Sequence, residues 1–144
     1  MIKELNHSIG DIIMSYEILR NNLLELIRRT SAYLPPDAED VINLKKNLEE
    51  KNSMAEMAMD MIMQNVGLAK KRSLPICQDT GTNTSDEKCP ASYDQLMFMK
   101  AAEEAVVTAT EKGYLRQNSV DSLTGKNTGN NLGKGSPVFH FEQS

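Results

Sequence analysis

The sequence predicts a mainly α chain: roughly four helices, then a long polar loop and a short terminal β-strand, together forming part of a larger α+β domain. Three observations carry this prediction. Apolar residues recur at three- and four-residue spacing through much of the chain up to Lys112. Residues 113–136 then become rich in Gly, Asn, Ser and Thr, with almost no large apolar side chains, which is the texture of a loop. Pro137-Val138-Phe139-His140-Phe141-Glu142 reads as a strand with no evident partner in the chain, so its sheet is expected to be completed elsewhere.

Each element has its own signal. Ile9, Ile12, Ile13, Tyr16 and Leu19 have helical spacing, so a first helix is expected from about Asp11, with residues 1–19 an N-terminal helix or extension and 20–144 the domain portion proper. Leu23, Leu24, Leu26, Ile27 and Ala32 continue the pattern to Leu34, where Pro35-Pro36 stops it. Asp37 is expected to cap a second helix running to about Lys51 on the stripe Val41, Leu44 and Leu48. Ser53-Met54-Ala55-Glu56 has the form of a capping box. It opens a third helix to about Lys71, whose methionines (Met54, Met57, Met61) read as adaptable core filler. Thr82 to Ser92 shows no alternation and is expected to be irregular. A fourth helix follows from Tyr93 or Asp94 to Lys112 on the stripe Leu96, Met99, Ala102, Val106 and Ala109, with Gly113 just past its end.

Composition excludes several functions. The chain has 144 residues, of which 40% are hydrophobic and 25% charged, so it is one domain or a piece of one, with material for a core. A net charge of −4 and an isoelectric point near 5.2 argue against a nucleic-acid partner held by bulk electrostatics. No apolar run approaches the roughly 20 residues of a membrane span, and Met1-Ile2-Lys3-Glu4 lacks the layout of a signal peptide, so a cytoplasmic chain with no membrane partner is expected. Cys77 and Cys89 match no zinc spacing, and without a sign of export no disulfide is expected. Cys89 reads as a small buried or idle thiol, His7 as solvated, and His140 as facing away from Phe139 and Phe141.

Two segments carry groups suited to chemistry. In Cys77-Gln78-Asp79-Thr80-Gly81 a thiol, an amide, a carboxylate and a hydroxyl are consecutive and end at a glycine. A thiolate there can ligate a metal or attack a substrate, and Asp79 can move a proton or bond a hydroxyl; a plain polar loop after a helix is the alternative. In the second segment Arg116 offers a planar fork matched to a carboxylate, and Lys126-Asn127-Thr128-Gly129-Asn130-Asn131 supplies donors at little steric cost. It lacks the spacing of a phosphate-binding loop, and a solvated surface loop is its alternative.

Taken together and in this order, the segments resemble a known family. Pro75-Ile76-Cys77-Gln78-Asp79-Thr80-Gly81 is similar to the cluster-ligand motif of the class I, iron–sulfur fumarate hydratases and their L-tartrate dehydratase relatives. Gly113-Tyr114-Leu115-Arg116, Asn118-Ser119-Val120-Asp121 and Lys126 through Asn131 resemble the loop that follows in that family, and Ser31 through Asp37 its early helix junction. The resemblance extends from about residue 20 to residue 142.

The resemblance implies a hydro-lyase of the tricarboxylic acid cycle type, adding or removing water across the double bond of a small dicarboxylic acid such as fumarate. It also implies a four-iron, four-sulfur cluster held by three cysteines, with one iron left free of protein ligands. Cys77 would be the first of those metal ligands. Asp79 and Arg116 would be the catalytic pair, Gln78, Asp79 and Arg116 would touch substrate, and Lys126, Asn127 and Thr128 would shape the same wall. The other two cysteines are expected outside these residues, in a remaining catalytic region or a β subunit. The isolated chain is therefore expected to hold no cluster and to be inactive, and its exposed strand and unpaired site surface make self-association the expectation too. A polar Thr82–Lys88 departs from the apolar strand usual after this motif. L-tartrate dehydration, or a helical interaction module without catalysis, are the alternative functions.

Overall fold

The computed structural model describes the backbone of residues 2–77 and 82–144, and the side chains of residues 15–77 and 82–144. Among the described residues, four helices and two strands follow in the order α1 (Ile2–Ala32), α2 (Pro36–Lys46), α3 (Met54–Arg72), β1 (Thr84–Cys89), α4 (Gln95–Glu111) and β2 (Val138–Gln143). The mainly α class holds.

Helix α1 is one continuous element that starts well before Asp11 and passes residue 20 without a break. It ends at Ala32, two residues short of Leu34, because Pro35 and Pro36 offer no amide to continue the ladder. Pro35 occupies the N-cap of α2 and Pro36 its first turn, so Asp37 is not the cap. Asp37 and Glu39 instead place negative charge in the first turn, with Lys45 and Lys46 in the last, both favourable to the helix dipole. The helix stops at Lys46, short of Lys51, and no residue of it is buried. Its expected core stripe lies open, with Val41 54%, Leu44 59% and Leu48 71% exposed.

The capping box at α3 forms as expected. Glu56 N–H donates to Ser53 Oγ at 3.1 Å, and the Glu56 carboxylate accepts the Asn52 N–H at 2.6 Å, one residue before the cap itself. The methionines are not core filler: Met54, Met57 and Met61 are exposed, and only Val66 and Ala69 are buried on this helix. An ion pair between Lys46 and Asp60 joins α2 to α3.

The core lies between α1, α4 and the sheet. Asp94 caps α4 by accepting the Met97 N–H at 2.9 Å. The buried stripe of α4 is Phe98, Ala101, Ala102, Ala105, Val106, Ala109 and Thr110, so Leu96 falls off it and is exposed. Small residues at 101, 102 and 105 bring this helix close to Leu23 and to the half-buried Leu24 and Ile27 of α1. Gly113 takes φ +73° past the helix end, as its position predicts, and Tyr114 N–H closes back on Ala109 O at 2.8 Å.

Two expectations about the sheet are corrected. Thr84–Cys89 is a strand, and it is the partner that β2 was expected to lack: Thr84 pairs with Val138 and Cys89 with Gln143, in parallel. Parallel neighbours need a crossover, which α4 and the loop after it provide. Ser85, Glu87 and Cys89 share the inner face with Phe139 and Phe141, and Ser85 Oγ donates to Glu87 Oε1 at 2.7 Å. Phe98 sits edge-on to Phe139 and Phe141, with ring centroids 6.1 and 5.8 Å away. His140 is exposed, and Cys89 is buried, as read.

Candidate active site

Cys77 is exposed, on the short connection that leaves α3. Ser73 ends that helix in the left-handed region at φ 52°, and its hydroxyl accepts from Arg28 Nη1 at 3.0 Å. Beyond Pro75, Ile76 N–H donates to Ser31 O at 3.0 Å, and Ile76 O accepts from Asn65 Nδ2 at 2.9 Å. The cysteine thus emerges from a segment tied to both α1 and α3.

It opens onto a cavity of about 580 Å³. Leu23, Ala102, Val106 and Leu115 line it from the buried side, while Ser31, Tyr33, Cys77, Thr82, Asn83, Thr84 and Ser85 add polar groups. An apolar pocket with a few polar groups at one side is the usual form of a small-molecule site. Positive charge stands beside it. The Arg28 guanidinium lies 5.4 Å from the centroid of the Tyr33 ring, and Lys70 Nζ lies 5.2 Å from it. Arg28 and Arg29 hydrogen-bond the Glu25 carboxylate at 2.7 Å, and these bonds hold its pKa down at about 2.

The second segment is a loop, as its composition suggests, and it is held by its own hydrogen bonds. Asp121 Oδ1 accepts from Thr124 N–H at 2.7 Å, Thr124 Oγ1 at 2.8 Å and Leu123 N–H at 3.1 Å. The Thr124 backbone bond leads in holding this carboxyl below its ordinary range. Asn127 Nδ2 donates to Gln117 O at 2.6 Å, and Thr128 N–H to Ser119 O at 3.0 Å. At its base lies Asn131, 5% exposed, in the left-handed region at φ 59°. Its Oδ1 accepts the N–H groups of Asn118 and Ser119 at 2.9 and 3.1 Å. Its Nδ2 donates to Arg116 O at 2.6 Å and to Thr110 Oγ1 at 3.0 Å. Asn131 therefore fastens the loop to the end of α4.

The expected site residues fall into three groups. Cys77 borders the cavity. Arg116, Lys126, Asn127 and Thr128 are exposed on the loop and do not line the cavity; Leu115, next to Arg116, does. Gln78 and Asp79 lie outside the described residues. Sequence reasoning missed Asn131 as the loop's anchor. Its signal was an Asn, which tolerates the left-handed region and both donates and accepts, at the end of a Gly/Asn run. Among the described residues no three His, Cys, Asp or Glu side chains converge as a metal site, and no helix is long and apolar enough to cross a membrane.

Comparison with known proteins decides the family. Residues 20–144 match the family described as fumarate hydratase (fumerase). The chain belongs to the fumarate hydratase family. A Geobacillus stearothermophilus protein named as a class I fumarate hydratase is 42% identical over 127 residues, covering 88% of this chain and 25% of that protein. The L(+)-tartrate dehydratase alpha subunit of Escherichia coli K12 is 32% identical over 123 residues, covering 81% of this chain and 40% of the subunit. A Methanocaldococcus jannaschii protein named as the same kind of subunit is 31% identical over 123 residues, covering 83% of this chain and 43% of its own. The chain therefore spans a quarter to less than half of the length of these relatives. The family match begins within α1 and includes both the Cys77 segment and the Arg116 loop.

Proposed function

We propose that this chain carries the first cluster ligand and part of the substrate wall of a hydro-lyase that interconverts fumarate and malate. The observation that carries the proposal is the exposed thiol of Cys77 beside a cavity, within a segment similar to the family's cluster motif. An exposed sulfur fits a thiolate contributed to a four-iron, four-sulfur cluster approached from outside the chain. The cluster's remaining ligands would come from beyond the described residues, in a further catalytic region or a β subunit, as the name alpha subunit carried by two relatives suggests. When bound, the cluster supplies a Lewis acid at the iron that lacks a protein ligand.

This chain's residues bind and orient the acid. Arg116 is free to present a planar fork of donors to one carboxylate, because Asn131 holds it through its backbone carbonyl and leaves the guanidinium exposed. Lys126, Asn127 and Thr128, on the same bonded loop, shape the adjoining wall and add positive charge for a dianion. Gln78 and Asp79 follow the thiolate directly and would reach the substrate hydroxyl, with Asp79 holding or passing its proton. Closing the site against water needs the complementing region, so the isolated chain is inactive. Two free cysteines accord with a reducing, cytoplasmic setting. Fumarate ranks ahead of tartrate because the relative named for it is more similar, at 42% against 32% identity.

The test is anaerobic co-expression with the complementing region, followed by iron and sulfide analysis and by hydration assays on fumarate and tartrate. Cys77→Ser is expected to abolish the cluster. Arg116→Ala is expected to raise KM at least about ten-fold with iron retained, the loss of a charge-assisted bidentate contact. Steady fumarate turnover by the pure 144-residue chain would contradict the reading.

A further inference from the structure

Asn65 sits on the exposed face of α3, where residues with better helix propensity would serve packing equally well. Its amide is committed elsewhere: Nδ2 donates to Ile76 O at 2.9 Å, across eleven residues of chain. The carbonyl it grips belongs to the rigid peptide plane that also contains the nitrogen and Cα of Cys77. In the neighbouring peptide group, Ile76 N–H donates to Ser31 O of α1 at 3.0 Å. Upstream, Leu74 N–H bonds Ala69 O at 3.1 Å and Arg28 bonds Ser73 Oγ at 3.0 Å. Of these contacts, only the one from Asn65 acts on the plane from which the cysteine side chain departs.

We infer that Asn65 is a positioning residue for Cys77, locking the 76–77 peptide so that the thiolate meets the cluster in a preset direction. The inference rests on the reading of Cys77 as a metal ligand. Asn65 itself touches neither metal nor substrate. A ligand whose backbone is already ordered loses less freedom when the metal binds, so the bond from Asn65 raises metal retention without adding a donor.

Two measurements test this. In the full chain carrying Cys89→Ala, a nitroxide is attached to Cys77 and its electron paramagnetic resonance line shape recorded for native Asn65, for Asn65→Asp and for a neighbouring exposed control, Gln64→Glu. Asn65→Asp keeps the shape of the side chain but sets oxygen against the carbonyl. The label is expected to move several-fold faster in that variant alone, with unchanged helical circular dichroism. Asn65→Ser, too short to reach Ile76 O, replaces it should the aspartate variant fail to fold. In the completed enzyme, Asn65→Asp is expected to lower iron retention under chelator challenge several-fold. An unchanged line shape overturns the inference. So does a mobile label with iron retention unchanged, provided that Cys77→Ser has stripped the iron. Iron retained even in Cys77→Ser overturns the ligand reading itself.

Discussion

Asn131 shows how one buried amide can order a polar loop. Each half of its side chain is used twice, and the four bonds join residues 110, 116, 118 and 119. Replacing it with Ala removes an acceptor for two backbone amides and a donor for a carbonyl and a hydroxyl. The expected loss is roughly 2–3 kcal/mol, read as a lower urea midpoint with an unchanged slope. Glu25 makes a different prediction. Its carboxylate is stabilised in the folded chain by Arg28 and Arg29, which lowers its pKa from 4.5 to about 2. A depressed folded pKa contributes stability that is fully present above 4.5 and is lost as pH falls toward 2. The melting temperature of the native chain is therefore expected to drop more steeply across that window than that of Glu25→Gln, whose profile should be flatter.

At the scale of elements, helices were readable where chemistry at their ends is local. Ser53 with Glu56, Asp94, Pro35-Pro36 and Gly113 all sit at or next to the helix ends that the structure shows. Ser53→Ala is expected to cost about 1 kcal/mol in thermal or urea unfolding. Strand β1 was hidden for a physical reason. Its inward positions include Ser85 and Glu87, which satisfy one another by a hydrogen bond, so burial alternates along the strand while hydropathy does not. The stripes of α2 and α3 misled in the opposite sense, since their period was right but Val41, Leu44, Met54, Met57 and Met61 are left exposed among the described residues. Of the candidate site, the loop's extent was legible. The cavity was not, because α1, β1, α4 and β2 all contribute to it from distant parts of the sequence. The α1–α4 packing gives a further test: Ala105 is fully buried in the cluster that also holds Leu23 and Phe98. Ala105→Leu is expected to destabilise by about 1–3 kcal/mol.

The whole molecule divides unevenly in stability. Helices α1 and α4 and the sheet hold the larger cluster of buried residues, while α2 buries none and meets the rest chiefly through α3. Backbone amides of α2 are expected to exchange with deuterium well before those of α4, as measured by mass spectrometry of peptic fragments. The paired substitutions Leu44→Glu and Met61→Glu, at positions 59% and 63% exposed, are expected to change stability by no more than about 0.5 kcal/mol.

The parallel pairing of Thr84–Cys89 with Val138–Gln143 has a consequence for biosynthesis. Phe98 emerges from the ribosome long before Phe139 and Phe141, two of the rings against which it packs. Until those two rings clear the exit tunnel, this face of Phe98 stays uncovered, and its closure must wait for a distant segment. Nascent chains stalled before Val138 should therefore be held by chaperones and cleaved readily within β1. Release of only a few more residues should render them resistant.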